Sequence, residues 1–190
     1  MSAWHRAGQT VWPVISAAAV VLMSLASLAT PPSFGADAAE NPSQPLAAKI
    51  VRSTGITSGL CVHLNVTDGK LTAALAKEAK FVVHGVAATP EATAGARSHI
   101  ASCNLHGVAS VEHGPLSRLP YVDNLVNLVV VDHLKDALSK GLSLREIVRV
   151  LRPGGVAFLG QRAGLTEEEL KAGLADAGVG DFEIVRDDGL

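Results

Sequence analysis

The sequence predicts an α/β protein with a mostly parallel sheet that helices cover on both faces. Of its 190 residues, 48% are hydrophobic but only 4% are aromatic, a balance typical of small-residue helices packed on aliphatic strands. Short apolar runs alternate along the chain with stretches of helical periodicity, and glycines and prolines separate them. A chain of this length holds one domain and a short extension.

The alternation of elements starts after a short helix that begins at Leu46. The run at 60–64 is bounded by turn residues and predicts a strand buried on both faces. A helix at 70–80 and a strand at 81–86 complete one β-α-β unit. The remaining predicted elements are a helix from Pro90 to Cys103, strands at 108–112 and 125–131, a helix at 142–151, a turn at 153–155, a strand at 156–159, a capped helix from Thr166 to Ala177 and a strand at 182–185. Right-handed crossovers join such units into a Rossmann-like sandwich.

The first 38 residues have the layout of a secretory signal peptide. His5 and Arg6 precede an apolar run at 11–28, and small residues at 36–38 form a cleavage site after Ala38. An uncleaved anchor is the alternative, because about 18 mostly apolar residues reach the lower limit for crossing a bilayer. Both readings predict an exported, periplasmic or extracytoplasmic domain that meets the membrane only through this segment. The predicted organisation is a signal peptide at 1–38, a linker at 39–45 and a domain at 46–190.

Charge and residue spacing exclude several function classes. Lys plus Arg number 16 against 18 Asp plus Glu, so the chain has no basic surface for nucleic acid. No GxSxG elbow of a serine hydrolase occurs. The histidines lack the paired spacing of a metal site, although a site between His63 and His84 on neighbouring strands stays open. Cys61 and Cys103 are too few for a disulfide framework.

Two segments resemble the class I S-adenosylmethionine-dependent methyltransferases, specifically the methyltransferase type 11 group. They are LPYVDN at 119–124 and EIVRVLRPGG at 146–155. In that family a helix that ends in a Leu-Arg/Lys-Pro-Gly-Gly turn delivers the fifth strand. The resemblance covers residues 46–188 and implies a class I methyltransferase sandwich with S-adenosylmethionine as cofactor. The family's last strand is the one element that the resemblance does not find.

More narrowly, the chain looks like the methyltransferase-like leading domain of exported planctomycete proteins. The signal segment, VHL at 62–64 and DGKLTAAL at 68–75 carry this resemblance. A PQQ-type β-propeller commonly follows in those proteins, which implies a protein partner such as a PQQ-type propeller protein. The chain ends about where the last strand is expected, so we expect an unpaired sheet edge that is open to strand addition.

The resemblance places the cofactor at the carboxyl ends of the first strands, beside a GxGxG turn. The three glycine positions fall on Asn65, Thr67 and Gly69, with Asp68 next to them. Asn65 tolerates a left-handed backbone, whereas Thr67 is strained if its position needs a positive φ. The family's acidic residue two positions before the first glycine falls on His63.

The other cofactor anchors are also changed. The carboxylate that binds the ribose hydroxyls falls on Ala87, which accepts no such hydrogen bond, and the adenine-binding position after Gly114 is a proline. Asp132 and His133 follow the fourth strand, in the usual place of substrate-side residues. Candidate replacements for the missing anchors are Asp68, Glu112 and Asp132.

These changes predict an exported methyltransferase-like pseudoenzyme with weak or no catalysis and a degenerate S-adenosylmethionine site. One alternative is an active methyltransferase that acts on an unknown small or protein acceptor. The other alternative is a scaffold that binds a partner, with a small molecule held in the former cofactor cleft.

Overall fold

The computed structural model describes residues 19–25, 42–161, 166–180 and 182–187. Within these ranges the chain forms seven strands and six helices, which alternate through most of its length. In chain order they are β1 (Ala19–Leu25), α1 (Ser43–Thr54), β2 (Ser58–Leu64), α2 (Lys70–Glu78), β3 (Lys80–Ala87), α3 (Pro90–Ser102), β4 (Ala109–His113), β5 (Val126–Val131), α4 (Leu134–Ser139), α5 (Leu144–Val150), β6 (Leu151–Gln161), α6 (Glu167–Asp176) and β7 (Phe182–Asp187).

All described strands lie in one parallel sheet with the order β4-β3-β2-β5-β6-β1-β7. Strands β2 to β6 form its five-stranded centre, and β1 and β7 extend it on the β6 side. The α/β fold that the sequence predicts is confirmed. The strand order reverses between β2 and β5, so their carboxyl ends flank the crevice where open α/β sheets bind ligands.

The sheet separates two hydrophobic cores because successive residues of a buried strand point to opposite faces. In β2, Cys61 packs into the core beneath α1, α2 and α3, whereas Val62 packs into the core beneath α4, α5 and α6. Cys61 is completely buried, and burial raises the pKa of its thiol. Both described cysteines, Cys61 and Cys103, are free thiols.

Two local predictions around β6 are wrong. The predicted turn at 153–155 belongs to the strand, which already begins at Leu151 opposite Val126. The pairing register shifts between Val126 and Leu128, and this irregularity accommodates the two glycines within the strand. A Cβ on Gly155 would lie 2.9 Å from the Val126 carbonyl oxygen. The preceding helix is therefore shorter than predicted, and the short helix α4 before it was not predicted at all.

The N-terminal segment supplies a strand. Residues 19–25 lie inside the predicted signal peptide, yet β1 pairs in parallel with both β6 and β7 and fills the place between them. The expected open place in the sheet is thus occupied by the chain itself. The signal peptide and its cleavage after Ala38 stay predictions, and α1 begins at Ser43 inside the predicted linker. No helix among the described residues is long and apolar enough to cross a bilayer.

Candidate functional site

The loop that follows β2 forms the floor of the crevice at the strand ends. Asn65 and Gly69 both have left-handed backbones, with φ values of 61° and 77°. Gly69 precedes α2, where a Cβ would lie 2.8 Å from the Ala96 Cα, so the loop packs tightly on α3. Thr67 is exposed and has no positive φ, so the strain predicted for it does not arise. The turn therefore survives with asparagine in place of the first glycine.

Asp68 bonds to the N-terminal end of helix α2, which follows this loop. One of its carboxylate oxygens accepts the backbone N–H of Lys70 at 3.0 Å, and the other lies 3.3 Å from the Lys70 ammonium. A carboxylate at a helix N-terminus satisfies an otherwise free N–H and complements the helix dipole. Asp68, one residue before the N-cap Gly69, therefore bonds to the first residue of α2.

His63 connects the loop region to the end of β5. Its ring is buried, with Nδ1 2.8 Å from the Thr72 hydroxyl and Nε2 3.4 Å from an Asp132 carboxylate oxygen. Burial raises the pKa of Asp132, but the hydrogen bond from His63 and the neighbouring charges of His63 and His133 outweigh it and leave the pKa below its usual value. The structure thus brings the buried His63 and the partly buried Asp132 together as a polar pair.

Asn65 is held from the opposite side of the crevice by α4 and its end. The Asn65 amide donates to the Asp136 carboxylate at 2.8 Å, and the Lys140 ammonium donates to the Asn65 carbonyl oxygen at 3.1 Å. Lys140 also pairs with Asp136 at 2.7 Å. Hydrogen bonds from Lys140 and Asn65 lower the pKa of Asp136. We call Asn65, Asp136 and Lys140 the crevice network.

The end of β3 offers no polar side chain at the predicted ribose position. Ala87 is completely buried in the apolar core, and its carbonyl oxygen accepts the N–H of Gly114 at 3.1 Å. The predicted replacements have other contacts, since Asp68 bonds to the first residue of α2, Asp132 contacts His63, and Glu112 lies 3.8 Å from His84. The structure does not bring these three carboxylates to Ala87 as one anchor set.

The alternative of a metal site between His63 and His84 is wrong. His84 pairs with Val62 across the β2–β3 ladder, so His63 and His84 point to opposite faces of the sheet. His84 instead contacts the Tyr121 hydroxyl through Nδ1, and burial lowers the pKa of His84. Among the described residues, no group of three or more metal-ligating side chains occurs.

A second cluster of charges lies at the amino ends of β5 and β6, at the opposite edge of the sheet from the crevice, where Arg149 of α5 holds the loop at 119–124. Its guanidinium donates to the Leu119 and Tyr121 carbonyl oxygens at 3.2 and 2.9 Å. It also pairs with Asp123 at 2.7 Å and with both Glu146 oxygens at 2.8 Å. The hydrogen bond from Arg149 lowers the pKa of Glu146 to about 2. We call these residues the Arg149 cluster, and they line an open cavity of about 600 Å³.

Sequence reasoning missed the side chains that bond to His63 and Asn65. Thr72, Asp136 and Lys140 were not singled out, although Asp136 and Lys140 stand four residues apart, as expected for one helix face. Their link to Asn65 spans more than 70 residues and had no local signal. Arg149 lies in the segment at 146–155 that carries the family resemblance. Its hydrogen bonds to the loop carbonyls form only when helix α5 and the loop at 119–124 lie side by side in the folded chain.

Residues 63–159 match a family of known proteins that is described as "Methyltransferase domain". They span β2 to β6 and include the crevice network and the Arg149 cluster. Among curated proteins, none matches the chain.

Three solved structures illustrate the likeness of fold. A candidate S-adenosylmethionine-dependent methyltransferase from Methanococcus maripaludis is 27% identical, with a TM-score of 0.56 over 62% of this chain and 56% of that one. A methyltransferase from Aquifex aeolicus is 20% identical, with a TM-score of 0.57 over 75% and 84% of the two chains. The [4+2]-cyclase SpnF is 20% identical, with a TM-score of 0.59 over 71% and 56%. The chain thus spans just over half the length of the first and third of these proteins.

Proposed function

The chain belongs to the methyltransferase domain family, and from that premise we propose that it is an exported member with a degenerate S-adenosylmethionine site and weak or no methyl transfer. The observation that carries this proposal is the crevice network. Asn65 stands where the family's turn has its first glycine, and its side chain is already bonded to Asp136 and Lys140. The polar groups at this strand end are therefore engaged with each other.

The burial of Asn65 makes this engagement hard to reverse. Asp136 and Lys140 are 51% and 37% exposed, so their mutual pairing contributes little and is easily broken. Asn65, however, is 1% exposed, and a buried amide that loses its partners costs about 1–3 kcal/mol. A ligand that displaces Lys140 and Asp136 must supply both a donor and an acceptor to Asn65. A glycine at this position imposes no such demand.

Ala87 removes the second requirement for tight binding. The family resemblance implies a carboxylate that holds the ribose hydroxyls, and Ala87 has no side-chain acceptor. Each lost hydrogen bond to a charged partner weakens binding by about 1.5–3 kcal/mol, which is roughly tenfold or more in dissociation constant. Both changes act in the direction of weaker cofactor binding, and the residues present do not fit the group as the family holds it.

Asp132 is poorly suited to accept a proton during catalysis. It is the partly buried carboxylate beside the crevice, but its pKa lies below the usual value and it already bonds to His63. A general base with a lowered pKa removes protons poorly at neutral pH. The fold by itself does not fix the chemistry, because folds of this kind host different activities, and one structural neighbour is named a cyclase.

The export predicted from the N-terminal segment agrees with this proposal. S-adenosylmethionine is made in the cytosol, so a domain that crosses the membrane leaves the supply of its cofactor behind. The planctomycete propeller relationship and a propeller partner remain predictions from sequence. The active enzyme and the partner-binding scaffold are the alternatives that the following experiment separates.

The decisive measurement is a calorimetric titration of the purified full chain with S-adenosylmethionine and S-adenosylhomocysteine. We expect a folded sample with binding no tighter than about millimolar. The double variant Asn65→Gly/Ala87→Asp restores a glycine and a carboxylate at the two altered positions and is expected to bind measurably tighter. Ala94→Asp, which adds the same charge at an exposed position of α3, serves as the control. Micromolar binding by the unaltered chain would overturn the proposal in favour of an active methyltransferase.

A further inference from the structure

The C-terminal end of α3 brings a histidine and a cysteine side chain together. His99 and Cys103 stand four residues apart, the spacing that places two side chains on one face of a helix. The His99 Nε2 atom lies 3.7 Å from the Cys103 Sγ atom. Both residues are only partly buried, so solvent reaches the pair. Neither residue belongs to the crevice network or to the Arg149 cluster.

The separation of these two atoms is close to the span of two ligands on one metal ion. A zinc ion binds a cysteine sulfur at about 2.3 Å and a histidine nitrogen at about 2.0–2.1 Å, with tetrahedral angles between the bonds. These values place the sulfur and the nitrogen roughly 3.5 Å apart. The observed separation is 3.7 Å, so a small rotation of either side chain brings both atoms to bonding distance of one ion.

The two donor atoms also define which ions fit. A thiolate sulfur and an imidazole nitrogen are the preferred ligands of zinc and of softer ions, whereas calcium and magnesium prefer oxygen. The pair stands in the last turn of α3, where the helix dipole favours a positive charge. Among the described residues no third ligating side chain joins the two, so the other positions on the ion are open to water.

We propose that His99 and Cys103 form a two-residue chelate for a zinc-like divalent metal ion, with water at the remaining positions. On binding, the S–H bond of Cys103 breaks, its proton passes to solvent, and the electron pair left on sulfur forms the bond to the metal. The lone pair of the neutral His99 Nε2 forms the second bond, and no group is oxidised or reduced. This site depends neither on export nor on whether the crevice binds S-adenosylmethionine.

The second cysteine of the chain serves as an internal comparison. The sequence contains two cysteines, and the other one, Cys61, is completely buried in the sheet. Burial raises the pKa of the Cys61 thiol, so this sulfur keeps its proton and stays out of reach of ions in solution. A metal–thiolate signal from the folded chain is therefore assigned to Cys103.

The first test is a titration of the full chain, reduced and without an affinity tag, with Cd²⁺. A cadmium–thiolate bond gives an ultraviolet charge-transfer absorption, and Zn²⁺ is then added as a competitor. We expect one ion per chain and displacement by Zn²⁺. Cys103→Ser should lose the absorption, and His99→Gln should keep the thiol but bind about tenfold or more weakly, because even a residue beyond the ligands can matter that much. His106→Gln changes an exposed histidine three residues after Cys103 and should bind as the unaltered chain does.

The second test needs no variant. Alkylation of Cys103 by iodoacetamide is followed by mass spectrometry, and saturating Zn²⁺ should slow it about tenfold or more, since a metal-bound sulfur is no longer a free nucleophile. A chelator should restore the rate, and Mg²⁺ should leave it unchanged.

Several results would overturn the chelate. These are a folded, unaltered chain without the cadmium–thiolate absorption, equal affinity of His99→Gln and the unaltered chain, and alkylation that Zn²⁺ does not slow. Absorption that persists in Cys103→Ser would assign the bond to Cys61 instead. One ion per two chains would contradict the completion of the site by water. None of these readouts involves S-adenosylmethionine, so failure of the chelate and failure of the proposed function are distinguishable.

Discussion

The Arg149 cluster lies at the amino ends of β5 and β6, whereas the crevice network lies at the carboxyl ends of β2 and β5, and the two clusters differ in what they bind. Arg149 lies in the segment that carries the family resemblance, and its guanidinium reaches two backbone carbonyls and two carboxylates. Asn65 lies in the turn after β2, and its side chain bonds only to side chains of another element, Asp136 and Lys140. The comparison teaches that one cluster fastens a loop to the domain, whereas the other bonds the side chains at the strand ends to each other.

Burial separates the two regions as well. Glu146 and Arg149 are 18% and 30% exposed, so the energy of their pairing is only partly screened by water. In the crevice network only Asn65 is buried, and its charged partners stand largely in solvent. The first cluster is therefore expected to govern stability, and the second to govern access to the strand ends.

The largest effect is expected from Arg149→Ala. This change leaves Glu146 and two loop carbonyls without their donor and should lower the free energy of unfolding by roughly 2–4 kcal/mol. Urea denaturation monitored by circular dichroism measures it. Arg145→Ala is the control, because Arg145 is 68% exposed and pairs with an exposed Asp176, so its loss should be below about 0.5 kcal/mol. Equal losses in the two variants would erase the distinction between a structural cluster and a surface pair.

Gly69→Ala tests whether the altered loop is still a tightly built one. The new Cβ meets the Ala96 backbone at 2.8 Å and the position has a positive φ, so we expect a loss of about 1–3 kcal/mol. Gly95→Ala on the same helix as Ala96 meets no atom within 4 Å and should instead stabilise by up to about 1 kcal/mol. Thermal melting of both variants gives the comparison, and a similar shift in both would show that the loop is loose.

Acid sensitivity should trace to the Arg149 cluster. The pKa of Glu146 is lowered to about 2, whereas an unfolded glutamate titrates near about 4.3. Its stabilising contribution is present above the unfolded value and is lost as the pH falls toward 2. Urea midpoints at several pH values between 2 and 6 should show a shallower acid slope in Glu146→Gln. The same substitution in an Arg149→Ala background should change the slope little, and an equally large change there would refute the assignment.

The smallest effect is expected from breaking the crevice network at its exposed members. Asp136→Ala and Lys140→Ala should each change the free energy of unfolding by less than about 1 kcal/mol, since both side chains stand largely in water. The measurement is again urea denaturation. A loss as large as that of Arg149→Ala would mean that the network supports the fold, and the contrast between the two regions would fail.

The sheet and its helices were predictable because their signals are local and repeated. The strand at 60–64, the helix at 70–80 and the capping box at Thr166 each follow from residues within a few positions of each other, and the structure confirms all three. The turn predicted at 153–155 failed, because pairing of Leu151 with Val126 overrides the local preference of glycine.

The site was predictable only in part. The family resemblance singled out Asn65 and Ala87, and the left-handed backbone that Asn65 tolerates is confirmed. The partners of Asn65 could not, because Asp136 and Lys140 reach it across the crevice from a helix with no clear sequence signal. The backbone pairing of residues 19–25 had no signal either, since an apolar leader and an apolar strand share the same composition.

The completely buried thiol of Cys61 is a probe of how often the folded sheet opens. Because the sulfur is completely buried and burial raises its pKa, it meets neither an oxidant nor a labelling reagent while the centre of the sheet stays closed. Modification of this one atom therefore records each opening of the central strand. The rate at which a labelling reagent modifies Cys61 in the purified protein therefore reports how often the centre of the folded sheet opens.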